Sequence, residues 1–71
     1  MENIRKQLGE NLKSYRDRAG LSQEKLGQMC ELDRTEISLL ERGLRFPRLD
    51  TLVKLARALE LEPGRLLEGI R

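Results

Sequence analysis

Arginine is the residue type whose placement could do chemistry in this sequence. Arg42, Arg45 and Arg48 fall within positions 42–48 with no acidic residue among them. Three guanidinium groups on one short segment offer a clamp for phosphate oxygens. Just upstream, residues 34–42 read Arg-Thr-Glu-Ile-Ser-Leu-Leu-Glu-Arg. Wound as a helix, this stretch puts Ile37 and Leu40 on one face and Arg34, Thr35, Ser38, Leu39 and Arg42 on the other. Such a stripe suits the major groove of DNA, where arginine donates two bonds to guanine and an apolar side chain meets a thymine methyl. Ser22 and Gln23 open a second helix, and the first N–H groups of a helix can donate to a bound anion. The stripe would equally serve as an ordinary solvated face, and an arginine loop as an aid to solubility; spacing alone does not choose. Asp33 and Glu36 lie beside the stripe as anions that would oppose a phosphate backbone.

The elements that must hold these residues follow from periodicity. The chain is leucine-rich and poor in β-branched and aromatic residues, which favours helices over sheets. Five helices are expected, at about 3–18, 23–30, 34–42, 49–59 and 63–69. The first carries Ile4, Leu8, Leu12 and Tyr15 on one side and stops at Gly20. The second is capped by Ser22 and turns Leu26, Met29 and Cys30 inward. Asp33 caps the third, with Glu36 completing a variant capping box, and Gly43 ends it. Leu49, Leu52, Val53, Ala56 and Leu59 form the inward face of the fourth, and Pro63 starts the fifth. Leu21 with Leu26, Leu32 with Ile37 and Leu61 with Leu66 share the spacing of a hydrophobic staple at three helix starts. Only Glu31 and Leu32 separate the second helix from the Asp33 cap, a helix-turn-helix spacing. The fold class is therefore all-α, in a single domain covering residues 1–71.

Composition narrows the function. With 71 residues there is room for one small core. No histidine is present, which removes the usual general base and most zinc sites, and neither an enzyme nor a metal or other cofactor is expected. The single cysteine excludes an internal disulfide framework and fits a reducing, cytoplasmic setting. Cys30 and Met29 read as core packing rather than redox chemistry. Nothing approaches the length of a membrane span, and the opening residues lack the apolar stretch of a leader. Net charge is only +2, so local clustering has to carry any case for nucleic acid.

Particular motifs add a resemblance. Gly20-Leu21-Ser22-Gln23-Glu24-Lys25-Leu26, Arg34-Thr35-Glu36-Ile37-Ser38, Leu40-Glu41-Arg42-Gly43, Pro47 and Leu52-Val53-Lys54-Leu55-Ala56-Arg57-Ala58-Leu59 resemble the phage-repressor-like (Cro/repressor, Xre-type) helix-turn-helix family. The likeness runs from about Leu12 to Leu67 and looks closest to single-domain members such as the controller proteins of restriction–modification systems. It implies a compact five-helix, lambda-repressor-like domain with the third helix in the major groove. It assigns Arg34, Thr35, Ser38 and Leu39 to bases, and Ser22, Gln23, Arg42, Arg45 and Arg48 to the DNA backbone. It also implies a largely buried ion pair between Arg16 and Glu41. This chain departs from the pattern at Glu31 and Glu60, where glycine is common, at Gly27, where alanine is common, and at Arg48 and Glu62, where serine is usual at caps.

Phe46, Leu44, Leu55, Leu67 and Ile70 fall off the faces that five packed helices need. Phe46, Leu55, Leu67 and Ile70 are therefore expected at a homodimer surface, a region through which members of the family commonly pair; some of them would otherwise complete a small core. The expected function is a transcriptional regulator that binds double-stranded DNA as a dimer at a roughly palindromic operator, with occlusion or recruitment of RNA polymerase as the outcome. An antitoxin-like or adaptor module using the same fold is the alternative.

Overall fold

Four α-helices and one 3-10 helix account for the regular structure in a computed structural model that describes residues 3–71. They are α1 (Ile4–Arg18), α2 (Gln23–Cys30), α3 (Arg34–Glu41), α4 (Leu49–Ala58) and a 3-10 helix at Pro63–Leu67. Met1 and Glu2, part of the stretch read for a leader, lie outside the described residues. The fifth helix thus differs from expectation. Gly64 has poor helix propensity, and the segment is pinned by i+3 bonds from Arg65 N to Glu62 O and Glu68 N to Arg65 O.

The starts follow the capping residues. Asn3 accepts from the Lys6 N–H, Ser22 from Lys25 and Asp33 from Thr35. The reciprocal capping box expected at α3 does not form, because the Glu36 carboxylate is engaged with Arg45 instead. Arg48 precedes α4 without a side-chain cap bond.

All four α-helices stop in the same way. Gly20, Glu31, Gly43 and Glu60 each have φ between 58° and 73°. The N–H of each bonds three residues back, and the N–H of the following leucine (Leu21, Leu32, Leu44 or Leu61) bonds five back. Leu21, Leu32 and Leu61 then pack on the core as the first member of each expected staple, while Leu26, Ile37 and Leu66 are fully buried. One leucine therefore closes one helix and sets the entry angle of the next.

Leu8, Leu12, Leu26, Ile37, Leu40, Leu52, Leu55, Ala56, Leu59 and Leu66 form the core, and burial of each leucine or isoleucine contributes about 1.5–3 kcal/mol. Cys30 joins them; burial pushes its thiol pKa up, which disfavours the reactive thiolate. Three expectations fail here. Leu49, at the first position of α4, is 76% exposed, and Met29 is 47% exposed on the outer side of α2. Leu55, assigned above to a dimer surface, is 1% exposed: it sits on the same α4 face as Leu52 and Leu59. Ile70 is half-buried against the core, leaving Leu44, Phe46 and Leu67 as the exposed members of that group.

Candidate nucleic-acid interface

The presentation of α3 depends on a buried polar centre. Arg16 on α1 donates from Nε to Glu41 Oε2 at 2.6 Å and from Nη2 to Glu41 Oε1 at 3.0 Å. Its Nη1 donates to the Leu21 carbonyl at 2.7 Å. The Gln23 side chain donates to Glu41 Oε1 at 3.0 Å. The Arg16 and Glu41 side chains are 10% and 2% exposed, and the hydrogen bond to Glu41 raises the Arg16 pKa further above its ordinary value. Three elements are thereby locked: the C-terminal turn of α1, the first residue of α2 and the last residue of α3. Gln23 spends its amide on this bracing bond, leaving its backbone N–H at the α2 N-terminus.

Glycine permits the approach of α1 to α3. A Cβ at Gly9 would lie 2.5 Å from the carbonyl oxygens of both Leu40 and Glu41. Gly27 has a similar part at the turn, where a Cβ would come within 2.6 Å of the Leu32 carbonyl oxygen. The Gly27 departure noted in the sequence thus coincides with a close backbone crossing between α2 and the segment leading into α3.

On the outer side, Arg34, Thr35 and Arg42 are exposed, and Ser38 and Leu39 are half-buried. Arg34 lines a shallow open pocket with Arg16, Ser22, Gln23 and Glu24, beside the α2 N-terminus. Among the described residues it makes no ion pair, so its guanidinium is available. Arg42 leans back on its own helix, with Nε 3.4 Å from the Ser38 carbonyl oxygen. Arg48 pairs with Asp50 at 3.3 Å, its side chain 84% exposed. Arg45 does not extend freely from the loop but pairs with Glu36. The structure thus brings Ser22, Gln23 and Arg34 together and sets the three loop arginines on separate local partners.

A second polar cluster escaped the sequence reading. Asn11 on α1 donates to the carbonyls of Leu66 and Glu68 at 2.9 and 2.8 Å, and accepts from the Gln7 side chain. Tyr15 donates to Glu68 Oε1 at 2.6 Å, and Arg65 to Glu68 Oε2 at 2.8 Å. These bonds tie the C-terminal segment to α1. The Tyr15 bond, with Arg65 next, lowers the Glu68 pKa; the Glu68 carboxylate raises that of Tyr15. The only sequence signal was a polar Asn11 beside Leu12, which also fits a solvated helix side.

No group able to hold a metal ion occurs among the described residues, and none of their helices is long and apolar enough to cross a membrane.

The profile of the family described as "Helix-turn-helix domain" matches residues 7–68. The chain is 42% identical over 67 residues to the control protein C.BamHI of Bacillus amyloliquefaciens, spanning 93% of this chain and 83% of that protein. The restriction-modification controller protein C.AhdI from Aeromonas hydrophila superposes with a TM-score of 0.84 at 41% identity, over 86% of this chain and 92% of that one. The P22 c2 repressor protein, solved in complex with a synthetic operator, superposes with a TM-score of 0.82 at 32% identity, over 87% and 94% of the two chains. From its buried Arg16–Glu41 centre to its outward α3, and across nearly its whole length, this chain belongs to the helix-turn-helix domain family.

Proposed function

We infer that this protein is a sequence-specific DNA-binding regulator of transcription that sets α3 in the major groove of an operator. One observation carries most weight: the first residue of α3, Arg34, is exposed and, among the described residues, without an ion pair beside the α2 N-terminus, on a helix fixed from behind by Arg16, Glu41 and Gln23. A base-reading side chain needs such a fixed platform, because discrimination between bases rests on short, directional bonds.

Arg34, Thr35, Ser38 and Leu39 read base edges. Ser22, the Gln23 backbone, Arg42 and Arg48 hold the phosphates on either side, and Arg45 joins them once released from Glu36. The repressor solved on a synthetic operator and the controller proteins support DNA binding by their likeness to the chain. The protein acts as a homodimer, presenting two copies of α3 about one DNA turn apart, ~34–36 Å. Phe46 and Leu67, with Leu44 and Leu49, supply exposed apolar surface for pairing. Bound at a promoter within the cytoplasm, the dimer excludes or recruits RNA polymerase. It works by occupancy rather than by catalysis.

Selection of bound sequences from a random duplex pool tests this role. The expected winners hold two inverted half-sites with that spacing, and binding weakens steeply with salt, by a log–log slope of about −0.9 per phosphate contact. An unenriched pool with a flat salt response would overturn it and favour a protein-interaction module.

A further inference from the structure

The loop arginines are not equivalent, and the difference lies in what each one touches. Arg45 follows α3 in the chain, yet its guanidinium turns back to meet Glu36 in the first turn of that helix. At 100° per residue, position 36 falls between Leu39 and Leu40, on the edge of the outward stripe. Here the Glu36 side chain is 24% exposed and the Arg45 side chain 55% exposed. A lone carboxylate at this place would repel a phosphate backbone, whereas the pair presents no net charge. A phosphate therefore has to compete with Glu36 for Arg45.

Building on the DNA-binding role, we propose that Glu36 is a positioning residue that sets the ratio of specific to non-specific binding by holding Arg45 against α3. On arbitrary DNA, binding is electrostatic and α3 is not seated in the groove. Arg45 then stays with Glu36 and adds no phosphate contact. At the operator, the seated helix brings a phosphate to the edge of the stripe, where the charged acceptor draws the guanidinium over. One contact is thus reserved for the correct site. Arg42 rests on a carbonyl with no carboxylate to leave, and the Arg48 pair with Asp50 is longer, at 3.3 Å, and far more exposed, so solvent already screens it.

Glu36→Gln keeps the shape and removes the charge, and Glu36→Ala serves as a second variant. Each is titrated against the selected operator and a random duplex over a range of salt, alone and combined with Arg45→Ala. Glu36→Gln is expected to raise random-duplex affinity about two- to five-fold and to steepen its salt slope by about one unit, with a smaller gain on the operator. The specificity ratio then falls, and in the Arg45→Ala background Glu36→Gln leaves that ratio unchanged. Equal gains on both DNAs, or a ratio change that persists without Arg45, would overturn the proposal. So would an altered base preference at one operator position, which would make Glu36 a direct reader. If the parent protein shows no salt-dependent duplex binding, the DNA-binding role falls and this proposal with it. If the parent binds and Glu36→Gln changes nothing, only this proposal falls.

Discussion

Replacing Glu41 by alanine should bring the domain close to unfolding. The Glu41 side chain is 2% exposed, and its carboxylate accepts three hydrogen bonds, two from Arg16 and one from Gln23. Glu41→Ala leaves the guanidinium of Arg16, a side chain 10% exposed, with the Leu21 carbonyl and an Asp17 carboxylate oxygen at 3.3 Å. Breaking a buried pair from one side costs about 3–5 kcal/mol, and the retained Asp17 contact puts the loss near the lower end. Domains are stable by roughly 0.05–0.15 kcal/mol per residue, so about 3 kcal/mol is a large share of the total here. At ~4–8 °C per kcal/mol, the melting temperature should drop by about 12–24 °C. Thermal unfolding followed by circular dichroism reads this directly. The double variant Arg16→Met with Glu41→Leu removes both charges and should recover much of the loss, because apolar replacement of a whole buried pair is often neutral. A Glu41→Ala protein that melts within about 4 °C of the parent, or a double variant no better than the single one, would refute the assignment of this centre as the brace of α3.

Three further outcomes follow from local geometry. Glu31→Gly and Glu60→Gly should each stabilise the fold by about 1 kcal/mol, since both glutamates hold φ of 58°; an unchanged melt in both would mean that the left-handed stop carries no strain. Gly9→Ala should destabilise by about 1 kcal/mol or more, although alanine is the better helix former, because its methyl would sit 2.5 Å from two α3 carbonyl oxygens; a gain in urea midpoint would show that α1 and α3 can part without cost. The single tyrosine makes its phenol readable by absorbance, and it should ionise above its ordinary pKa, moving back toward that value in Glu68→Ala. Because the folded phenol pKa is raised, the tie it makes contributes below the ordinary phenol pKa and is lost as pH rises through the folded value. Glu68 has the opposite sign: its folded pKa is lowered, and its share is lost as pH falls through that value. Identical phenol titrations in the two proteins would contradict the Tyr15–Glu68 bond.

Most of the fold was legible because it is written in local signals. Ser22 and Asp33 at caps, Gly20 and Gly43 at stops, and the leucine pairs at three helix starts each act over a few residues, and each sits where its chemistry predicts. The left-handed turn at Glu31 came from the departure from a glycine pattern, and its backbone shows φ of 58°. Readings failed where the outcome depended on tertiary contact. Leu55 and Leu49 are both leucines on α4, and only the packing of α4 on the other elements buries the first and exposes the second. The fifth helix tightened to 3-10 geometry because five residues containing Gly64 are anchored by Asn11 from α1, a partner far away in sequence. In the site, the outward stripe of α3 was visible from periodicity. The engagement of Arg45 by Glu36, nine positions apart around a glycine stop, was not, since neither helix nor strand spacing relates the two.

The most direct test of base reading by α3 is a side-by-side selection from one random DNA pool with the parent protein and Arg34→Ala. Arg34 stands exposed at the start of α3 and, among the described residues, without an ion pair, where its guanidinium can meet guanine O6 and N7. Arg34→Ala is expected to keep the half-site spacing and to relax preference at one position in each half-site, at a cost of ~1–3 kcal/mol on the parent's best site. Its affinity for random duplex should change far less. Selected sequences identical to those of the parent at every position, with affinity lowered equally on all DNA, would make Arg34 a phosphate contact and contradict direct reading by the first turn of α3.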